Sequence, residues 1–344
     1  MHLYYSFMKY VRLGKSGLYV SVMALGAMTF GDKNSWKLGG LSQEQTNEMV
    51  KRAYEYGINL FDTADVYDEG ESEIALGKAL KSFRDEIHIA TKVRGRTGKG
   101  INQIGLTRHH IRESIKGSLE RLKTDHVELY QMHSFDYHVP IIETIETLQD
   151  LVERGDIDYP GFSNFQAWQM ALFNSVAREN HFEAYHSAQM NYSLLNRDIE
   201  QEVLPYMNHD GLSLLAWSPL HGGVLSGKYG KKVEAKAGTR FGDRGVFPPF
   251  DQEKARFVLE VAEEIAKEQD CKLSNVALSW VIAKKGIVLV GARTLEQFEE
   301  NMKTLDVNLT AEQVKRLDDV SEDRELYPGW MIKRQDRGRD FEKI

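Results

Sequence analysis

Three short β-prone runs each lead to a side chain that can take part in proton transfer. Asp62 and Tyr67 follow a run that begins at Leu60, Lys92 closes a second run, and His133 closes a third. A phenol can give a proton, a neighbouring ammonium lowers the pKa of that phenol, and a carboxylate holds the ammonium in place. Because tyrosine has an ordinary pKa of about 10, it needs such a cation to act as an acid at neutral pH. The four residues predict a proton-donor site.

The pattern between these residues predicts how the chain positions them. After an opening hairpin over residues 10–21, eight β-prone runs alternate with helical patterns, and no Pro- or Ser-rich linker divides them. We interpret this as a (β/α)8 TIM barrel with an N-terminal β-hairpin and a C-terminal helical extension. It would form a single domain over residues 8–344, with residues 1–7 as an N-terminal extension and an irregular tail from Glu322. A parallel barrel would bring the polar strand ends together at one face.

Closure of the sheet is the feature that a linear pattern leaves open. A doubly wound open sheet, which also alternates strands with helices, is therefore the alternative architecture. No Gly-x-Gly-x-x-Gly motif follows any predicted strand, which argues against the dinucleotide-binding version of that fold.

Composition narrows the class of protein. The 344 residues are 42% hydrophobic and 28% charged, and 44 basic against 51 acidic residues give a net charge of −7. With no basic block, nucleic acid is not an expected partner. A single cysteine, Cys271, cannot form an intrachain disulfide, and no signal peptide or membrane-length apolar run is apparent. The expectation is a cytoplasmic protein that acts on a small molecule and has no membrane partner. Whether it forms a homo-oligomer is left open by the sequence.

Six motifs in order make the chain recognisable. They are Phe61-Asp-Thr-Ala-Asp-Val-Tyr67, Ser72-Glu-Ile-Ala-Leu-Gly77, Thr91-Lys92, Leu129-Tyr-Gln-Met-His133, Gly161-Phe-Ser-Asn164 and Trp217-Ser-Pro-Leu220. The chain resembles the aldo-keto reductase superfamily from about Met8 to Val320, and Tyr327-Pro-Gly-Trp330 is similar to the tail of a bacterial and fungal branch. The resemblance implies the (β/α)8 barrel, NADP(H) bound across its C-terminal face, and reversible carbonyl reduction without a metal.

The resemblance also implies a role for each member of the proton-donor set. Tyr67 would be the general acid, Lys92 its electrostatic activator, Asp62 the partner of Lys92, and His133 the residue that orients the carbonyl. Each residue alone has an ordinary structural explanation, such as an aspartate that caps a turn or a solvated lysine. Their joint position at strand ends favours the catalytic interpretation.

The same resemblance implies a nicotinamide site. Ser163, Asn164 and Gln189 match positions that hydrogen-bond the carboxamide, and amide and hydroxyl groups suit that task. Trp217 matches an aromatic that stacks on the nicotinamide ring, with Ser218, Pro219 and Leu220 following it in the cofactor-binding set. A buried strand aromatic is the alternative explanation for Trp217.

Two further segments carry the phosphate and adenine assignments. Gly222 to Lys228 matches Gly-x-x-x-x-Gly-Lys, but Tyr229 stands where a nucleotide-binding loop needs Ser or Thr for Mg²⁺, which excludes an ATPase. The resemblance instead implies that this loop and Arg240 cover the cofactor pyrophosphate. Gly291-Ala-Arg293 precedes a capped helix, where a phosphate is favoured. By family position, Arg293 and Gln297 would bind the 2′-phosphate of the cofactor's adenosine, and Glu300 and Asn301 would contact its adenine.

Two other functions compete with carbonyl reduction. Potassium-channel β subunits of the same superfamily are regulatory cofactor binders that lack the histidine at the His133 position, so an intact His133 favours catalysis. A lysine at a barrel strand end is also the nucleophile of a Schiff-base lyase, which would give that role to Lys92. The sequence does not identify the carbonyl substrate, because the substrate pocket lies in loops. The aromatic and proline-rich stretch from Phe241 to Phe250 has no close counterpart among these motifs, and a substrate pocket and a subunit contact stay open as its role.

Overall fold

The eight predicted strands close into a barrel. A computed structural model describes residues 8–33, 35, 40–228 and 247–335. Strands β3 to β10 are all parallel, and β10 pairs with both β3 and β9, so the sheet has no open edge. Their bounds are Met23–Gly26, Leu60–Asp62, His88–Val93, Val127–Met132, Ile157–Ser163, Ser187–Asn191, Ser213–Trp217 and Ile287–Val290. This confirms the (β/α)8 barrel and rejects the doubly wound alternative.

The predicted hairpin covers the N-terminal end of this barrel. β1 (Tyr10–Arg12) pairs antiparallel with β2 (Tyr19–Ser21). Gly14, in the turn, has a left-handed φ of 55° and donates its amide to the Ser213 hydroxyl at 2.7 Å, where β9 begins. Leu13 and Val20 are fully buried against the inner residues of the strands. The hairpin therefore plugs the bottom of the barrel and leaves its opposite, C-terminal end for the site.

Helices surround the barrel in the described ranges. In chain order, α1 to α11 are Gln43–Glu55, Glu71–Leu80, Arg108–Leu122, Ile141–Arg154, Ala167–Glu179, Val203–Asp210, Gln252–Glu268, Leu273–Ala283, Leu295–Met302, Ala311–Ser321 and Gly329–Gln335. Side-chain oxygens of Ser42, Thr294 and Thr310 accept from the first-turn amides of α1, α9 and α10 and cap these helices. The expectation of a wholly irregular tail was wrong, because Gly329–Gln335 forms a short helix behind Pro328.

Alternation along the strands separates two apolar layers. In β6, Leu129 points into the barrel with Ala90 and Leu215, whereas Tyr130 packs in the outer layer between strands and helices. Because side chains alternate, Gln131 lies on the same inner side as Leu129, one step nearer the C-terminal end. The inner layer is apolar at the bottom of the barrel and becomes polar at the top.

Some predicted features lie outside the described residues. Residues 1–7, Arg240 and residues 241–246 of the segment from Phe241 to Phe250 are not among the described residues. Within the described ranges, no helix combines the length and the apolar character that crossing a bilayer requires.

Candidate active site

Lys92 is the centre of the polar layer at the top of the barrel. It lies near the end of β5, level with Gln131 of β6, and its side chain is completely buried. Its Nζ donates to Asp62 Oδ1 at 2.6 Å, to the Thr63 carbonyl at 2.7 Å and to the Tyr67 hydroxyl at 3.2 Å. An ammonium has three N–H groups, so all of its donors are used.

The carboxylate of Asp62 is satisfied from two further sides. Gln189 Nε2 donates to Asp62 Oδ2 at 2.7 Å, and Gln131 Nε2 donates to the same oxygen at 3.1 Å. A buried ion pair persists only when other hydrogen bonds satisfy its remaining polar atoms, since the loss of hydration is costly. The two glutamines supply those bonds, and they hold Asp62 in one orientation under Lys92.

Tyr67 enters the site from the loop after β4. It begins a 3-10 turn, Tyr67–Gly70, in which Asp68 and Glu69 adopt left-handed φ values of 48° and 58°. Such conformations are unfavourable for residues with a side chain and persist where surrounding contacts impose them. The Ser72 hydroxyl, which donates to the Ala27 carbonyl at 2.7 Å, anchors the helix that follows. The strained turn directs the phenol towards Lys92.

The electrostatics keep Tyr67 protonated and Lys92 charged. Burial raises the pKa of the Tyr67 phenol, and the nearby Lys92 opposes that rise. Burial also disfavours the charge on Lys92, but Asp62 and the Tyr67 hydroxyl outweigh it and raise the Lys92 pKa above its ordinary value. The site therefore presents a phenol that carries its proton next to a fixed cation.

His133 completes the predicted set. Its ring lies edge-on to the Tyr67 ring, with centroids 5.7 Å apart and planes at 73°, and its amide donates to the Val93 carbonyl at the end of β5. Burial, followed by the charges of Lys92 and Arg94, lowers the His133 pKa to about 3. The imidazole is neutral at physiological pH, so it can donate or accept a hydrogen bond but does not act as a cationic acid.

The ends of β7 and β9 meet beside this set. Asn164, which directly follows Ser163, donates to the His133 carbonyl at 2.9 Å and to the Ser163 hydroxyl at 3.0 Å. The indole of Trp217 donates to Asn164 Oδ1 at 3.0 Å, and its ring stacks on Phe247 at 6.1 Å. Four of the predicted residues are therefore connected around the barrel mouth.

The deciding comparison covers most of the chain. A model of the Aldo/keto reductase family matches residues 22–322, which include every residue of the buried polar layer. The chain belongs to the aldo/keto reductase family. Membership makes it an oxidoreductase of carbonyl compounds that works with a nicotinamide cofactor.

Individual relatives agree with this membership along nearly their full lengths. The oxidoreductase YrpG of Bacillus subtilis is 36% identical over 326 residues, covering 91% of this chain and 96% of the relative. Versiconal hemiacetal acetate reductase of Aspergillus parasiticus is 31% identical, covering 94% of this chain and 99% of the relative. The aldo-keto reductase AMT2 of Alternaria alternata is 32% identical, with 90% of each chain covered.

The remaining described residues that the sequence predicts for a cofactor site lie around β9 and β10. Ser218, Pro219 and Leu220 follow β9, with the Ser218 hydroxyl accepting a hydrogen bond from the Gly222 amide at 3.0 Å, and Lys228 is exposed. Gly291 and Arg293 follow β10, and the Arg293 amide donates to Gln297 Oε1 at 3.1 Å. In α9, Asn301 is buried.

Glu300 has partners that favour an ordinary structural role. Its carboxylate lies 3.0 Å from the ammonium groups of both Lys272 and Lys303. These neighbours lower the Glu300 pKa against the effect of burial, which raises it. The adenine assignment of Glu300 stays a prediction.

Sequence reasoning missed several residues of the site. Gln131, which supports Asp62, could have been found from strand alternation, because it lies two residues before His133. Asp65 is buried behind Tyr67 next to Glu73, and burial raises its pKa well above the usual range for a carboxyl. No periodic signal points to Asp65, because it lies in a loop.

One group of metal-ligand side chains occurs in the described part of the chain, away from this site. Ligand atoms of His126, Glu128 and Asp158 lie within 4.8 Å of one another where β6 and β7 begin. This is the end of the barrel opposite Lys92, and Arg84 already donates to Glu128 there at 2.8 Å. A metal-free reaction stays a prediction.

Proposed function

We propose that this aldo/keto reductase is an NADPH-dependent reductase of aldehydes or ketones in which Tyr67 is the general acid. The observation that carries the proposal is the single ammonium of Lys92, which bonds both Asp62 at 2.6 Å and the Tyr67 hydroxyl at 3.2 Å. A phenol with that neighbour can lose its proton to an alkoxide and leave a phenolate that the cation stabilises. The buried position excludes bulk water from the exchange.

The residues at the mouth suit a nicotinamide dinucleotide. Gln189 uses its Nε2 on Asp62, and its Oε1 accepts no hydrogen bond from the described residues, so that oxygen suits a carboxamide N–H. Arg293 is half-buried with no carboxylate partner in the described ranges, next to the N-terminus of α9. A 2′-phosphate would supply the missing counter-charge, which favours NADPH over NADH.

Each of the four catalytic residues has a separate role in the proposed reduction. A nicotinamide cofactor, when bound, would supply the hydride for the carbonyl carbon. Neutral His133 and protonated Tyr67 hold the carbonyl oxygen, and the Tyr67 O–H proton moves to that oxygen as negative charge develops. Lys92 keeps the resulting phenolate low in energy, and Asp62 holds Lys92. In the oxidation direction the same phenolate takes the proton back.

The two competing functions fit this site less well. A Schiff-base lyase needs a neutral amine, but Asp62 and Tyr67 raise the Lys92 pKa and all three Lys92 N–H groups are engaged. A purely regulatory cofactor binder does not require a neutral His133 imidazole packed against the protonated Tyr67 phenol. Borohydride trapping with a carbonyl compound should therefore label no lysine.

Substitution of Tyr67 by phenylalanine tests the proposal. Tyr67→Phe keeps the ring against His133 and removes only the proton donor, so kcat should fall by about 10²- to 10⁴-fold. The NADPH dissociation constant should change by no more than a few-fold, because the cofactor contacts are assigned to other residues. Stopped-flow reduction of an aldehyde panel that includes aryl aldehydes, together with NADPH fluorescence titration, measures both. Normal turnover by Tyr67→Phe would remove Tyr67 from the mechanism.

A further inference from the structure

Arg94 stands at the mouth of the barrel without an assigned role. It follows the last residue of β5 directly, two positions after Lys92. The neighbouring strand end is β6, where the His133 amide donates to the Val93 carbonyl at 2.8 Å. The charge of Arg94 is one of those that lower the His133 pKa, so the guanidinium lies close to that ring. A second cation therefore faces the carbonyl-binding side of the site.

The guanidinium of Arg94 lacks the partners that a half-buried arginine normally has. Its Nε is buried and makes no hydrogen bond within the described residues. In the described ranges, Arg94 and Arg293 are the buried or half-buried arginines without a carboxylate partner. The paired ones are Arg52, Arg84, Arg121, Arg197 and Arg316. A buried N–H without a partner costs free energy, which a ligand can recover.

The backbone at Arg94 is strained as well. Its φ of 128° is rare for a residue with a side chain. Hydrogen bonds at the other end of the loop that Arg94 begins hold this conformation. The Gly105 amide donates to the Arg94 carbonyl at 3.0 Å, and the next amide, that of Leu106, donates to Asp136 at 2.9 Å. Strain of this kind is kept where the surrounding structure imposes it, most often at binding sites.

The cofactor does not account for Arg94. In the barrel order β10-β3-β4-β5, Arg94 is three strands away from Arg293 and the assigned phosphate site. Lys92 does not compete with it either, because its charge is matched by Asp62 at 2.6 Å. The charge that Arg94 can balance therefore belongs to the other molecule that enters the mouth, the carbonyl compound.

We propose that Arg94 binds the carboxylate of an anionic carbonyl substrate, an aldehyde or ketone that also carries a carboxylic acid. The planar guanidinium matches a carboxylate through paired N–H donors, and its single unmatched charge balances one negative charge, whereas a phosphate carries nearly two. The substrate carboxylate lies on Arg94, and its carbonyl oxygen reaches Tyr67 and His133. This inference rests on the proposed carbonyl reduction and specifies its substrate class.

A pair of substrates that differ in the charge of one substituent, with one added methyl group in the neutral member, tests this assignment. 4-Carboxybenzaldehyde and its methyl ester share the aldehyde, the ring and the substituent position. With saturating NADPH, the wild type should show a higher kcat/KM for the acid. Arg94→Gln should raise the KM for the acid by roughly 10- to 100-fold, the worth of a charge-assisted pair, with a smaller change in kcat. Its kinetics with the ester should stay within about two-fold, and Arg94→Lys should recover part of the loss.

The loop offers a matched control in Lys99, an exposed cation five positions along the chain. Lys99→Gln removes the same charge from the same loop and should leave both substrates unaffected. An equal loss with acid and ester in Arg94→Gln would mean that Arg94 only maintains the loop, and the proposal would be wrong. A wild type that prefers the ester would also overturn it.

A binding measurement separates this inference from the proposed function. Benzoate titrated into the NADPH complex by calorimetry needs no turnover. The wild type and Lys99→Gln should bind benzoate, and Arg94→Gln should bind it at least 10-fold more weakly, roughly the worth of one such pair. Equal benzoate affinity in all three would exclude Arg94 as the carboxylate site. Inactivity of the wild type with every carbonyl compound would instead contradict the reductase function, and the benzoate result would still decide the role of Arg94.

Discussion

The two ends of strand β5 carry arginines in opposite circumstances. Before the strand, Arg84 donates to Glu128 at 2.8 Å, to Thr124 at 2.8 Å and to the carbonyls of His126 at 2.9 Å and Ile87 at 3.2 Å. After the strand, Arg94 has no such partner within the described residues. In a parallel barrel the amino-terminal end serves stability and the carboxyl-terminal end serves chemistry. Arg84, at the amino-terminal end, has its hydrogen bonds satisfied, whereas the Nε of Arg94, at the carboxyl-terminal end, has no hydrogen-bond partner within the described residues.

Backbone strain follows the same division. Apart from residues at or just past the C-termini of α-helices, left-handed φ values in described residues other than glycine occur in the loops after β4, β5, β7 and β9. These residues are Asp68, Glu69, Arg94, Asn164, Ser218 and His221. The bottom of the barrel is closed instead by a regular hairpin. The comparison teaches that changes at the top should affect rate and binding, and changes at the bottom should affect stability.

Lys92→Met should have the largest effect, and although Lys92 lies at the top of the barrel, the substitution should lower both activity and stability. Without the ammonium the Tyr67 phenolate is no longer stabilised, so kcat should fall by about 10²- to 10⁴-fold. The substitution also leaves Asp62 buried without its cation, at a cost of about 3–5 kcal/mol in the free energy of unfolding. Urea denaturation and steady-state kinetics measure the two losses. A variant that loses neither would show that the pair is not needed.

Arg84→Ala should lower stability and leave catalysis intact. The Arg84 and Glu128 side chains are 18% and 8% exposed, and removal of the cation should cost about 3 kcal/mol in the free energy of unfolding. Arg112→Ala is the matched control, because its pair with Asp150 is 45% and 38% exposed and should contribute less than about 1 kcal/mol. Chemical denaturation and kcat of the folded enzyme give the answer. A large fall in kcat for Arg84→Ala would contradict the division.

Arg293→Ala should affect one cofactor and not the other. A charge-assisted contact to a 2′-phosphate is worth about 1.5–3 kcal/mol, so NADPH affinity should fall by roughly one to two orders of magnitude. NADH, which lacks that phosphate, should bind as before. Fluorescence titration with both cofactors measures the split. Equal weakening of the two would place Arg293 elsewhere than at the 2′-phosphate.

The lowered pKa of His133 should make the free energy of unfolding depend on pH. Its pKa is about 3 in the folded protein and 6.5 ordinarily, so the unfolded chain takes up a proton that the folded chain does not. The His133 contribution is fully present above pH 6.5 and is lost as the pH falls towards 3.

The difference between wild type and His133→Gln isolates this contribution, because His88 and His110 also have lowered pKa values. The variant should lose less stability than the wild type between pH 6.5 and 3, measured by urea denaturation at each pH. Parallel curves would mean that His133 titrates normally.

Much of the fold and the central site follows from local patterns. Strand alternation and capping residues locate the elements, and the strand-end positions of Lys92 and His133 need only the knowledge that parallel strands end on one face. The supporting glutamines show the limit. Gln131 and Gln189 lie 58 residues apart and meet on one carboxylate oxygen, which no local pattern reports.

The sequence by itself determined the order of strands and helices, the apolar alternation along the strands, and the residue types that can exchange a proton, whereas closure of the barrel required the tertiary structure. These depend on periodicity and chemical identity, which are local properties of the chain. Only the tertiary structure decided that Lys92 is charged, that His133 is neutral and that Arg94 lacks a partner while Arg84 has several. Ionisation and hydrogen-bond satisfaction depend on burial and on neighbours distant in the chain, and folding alone brings those neighbours together.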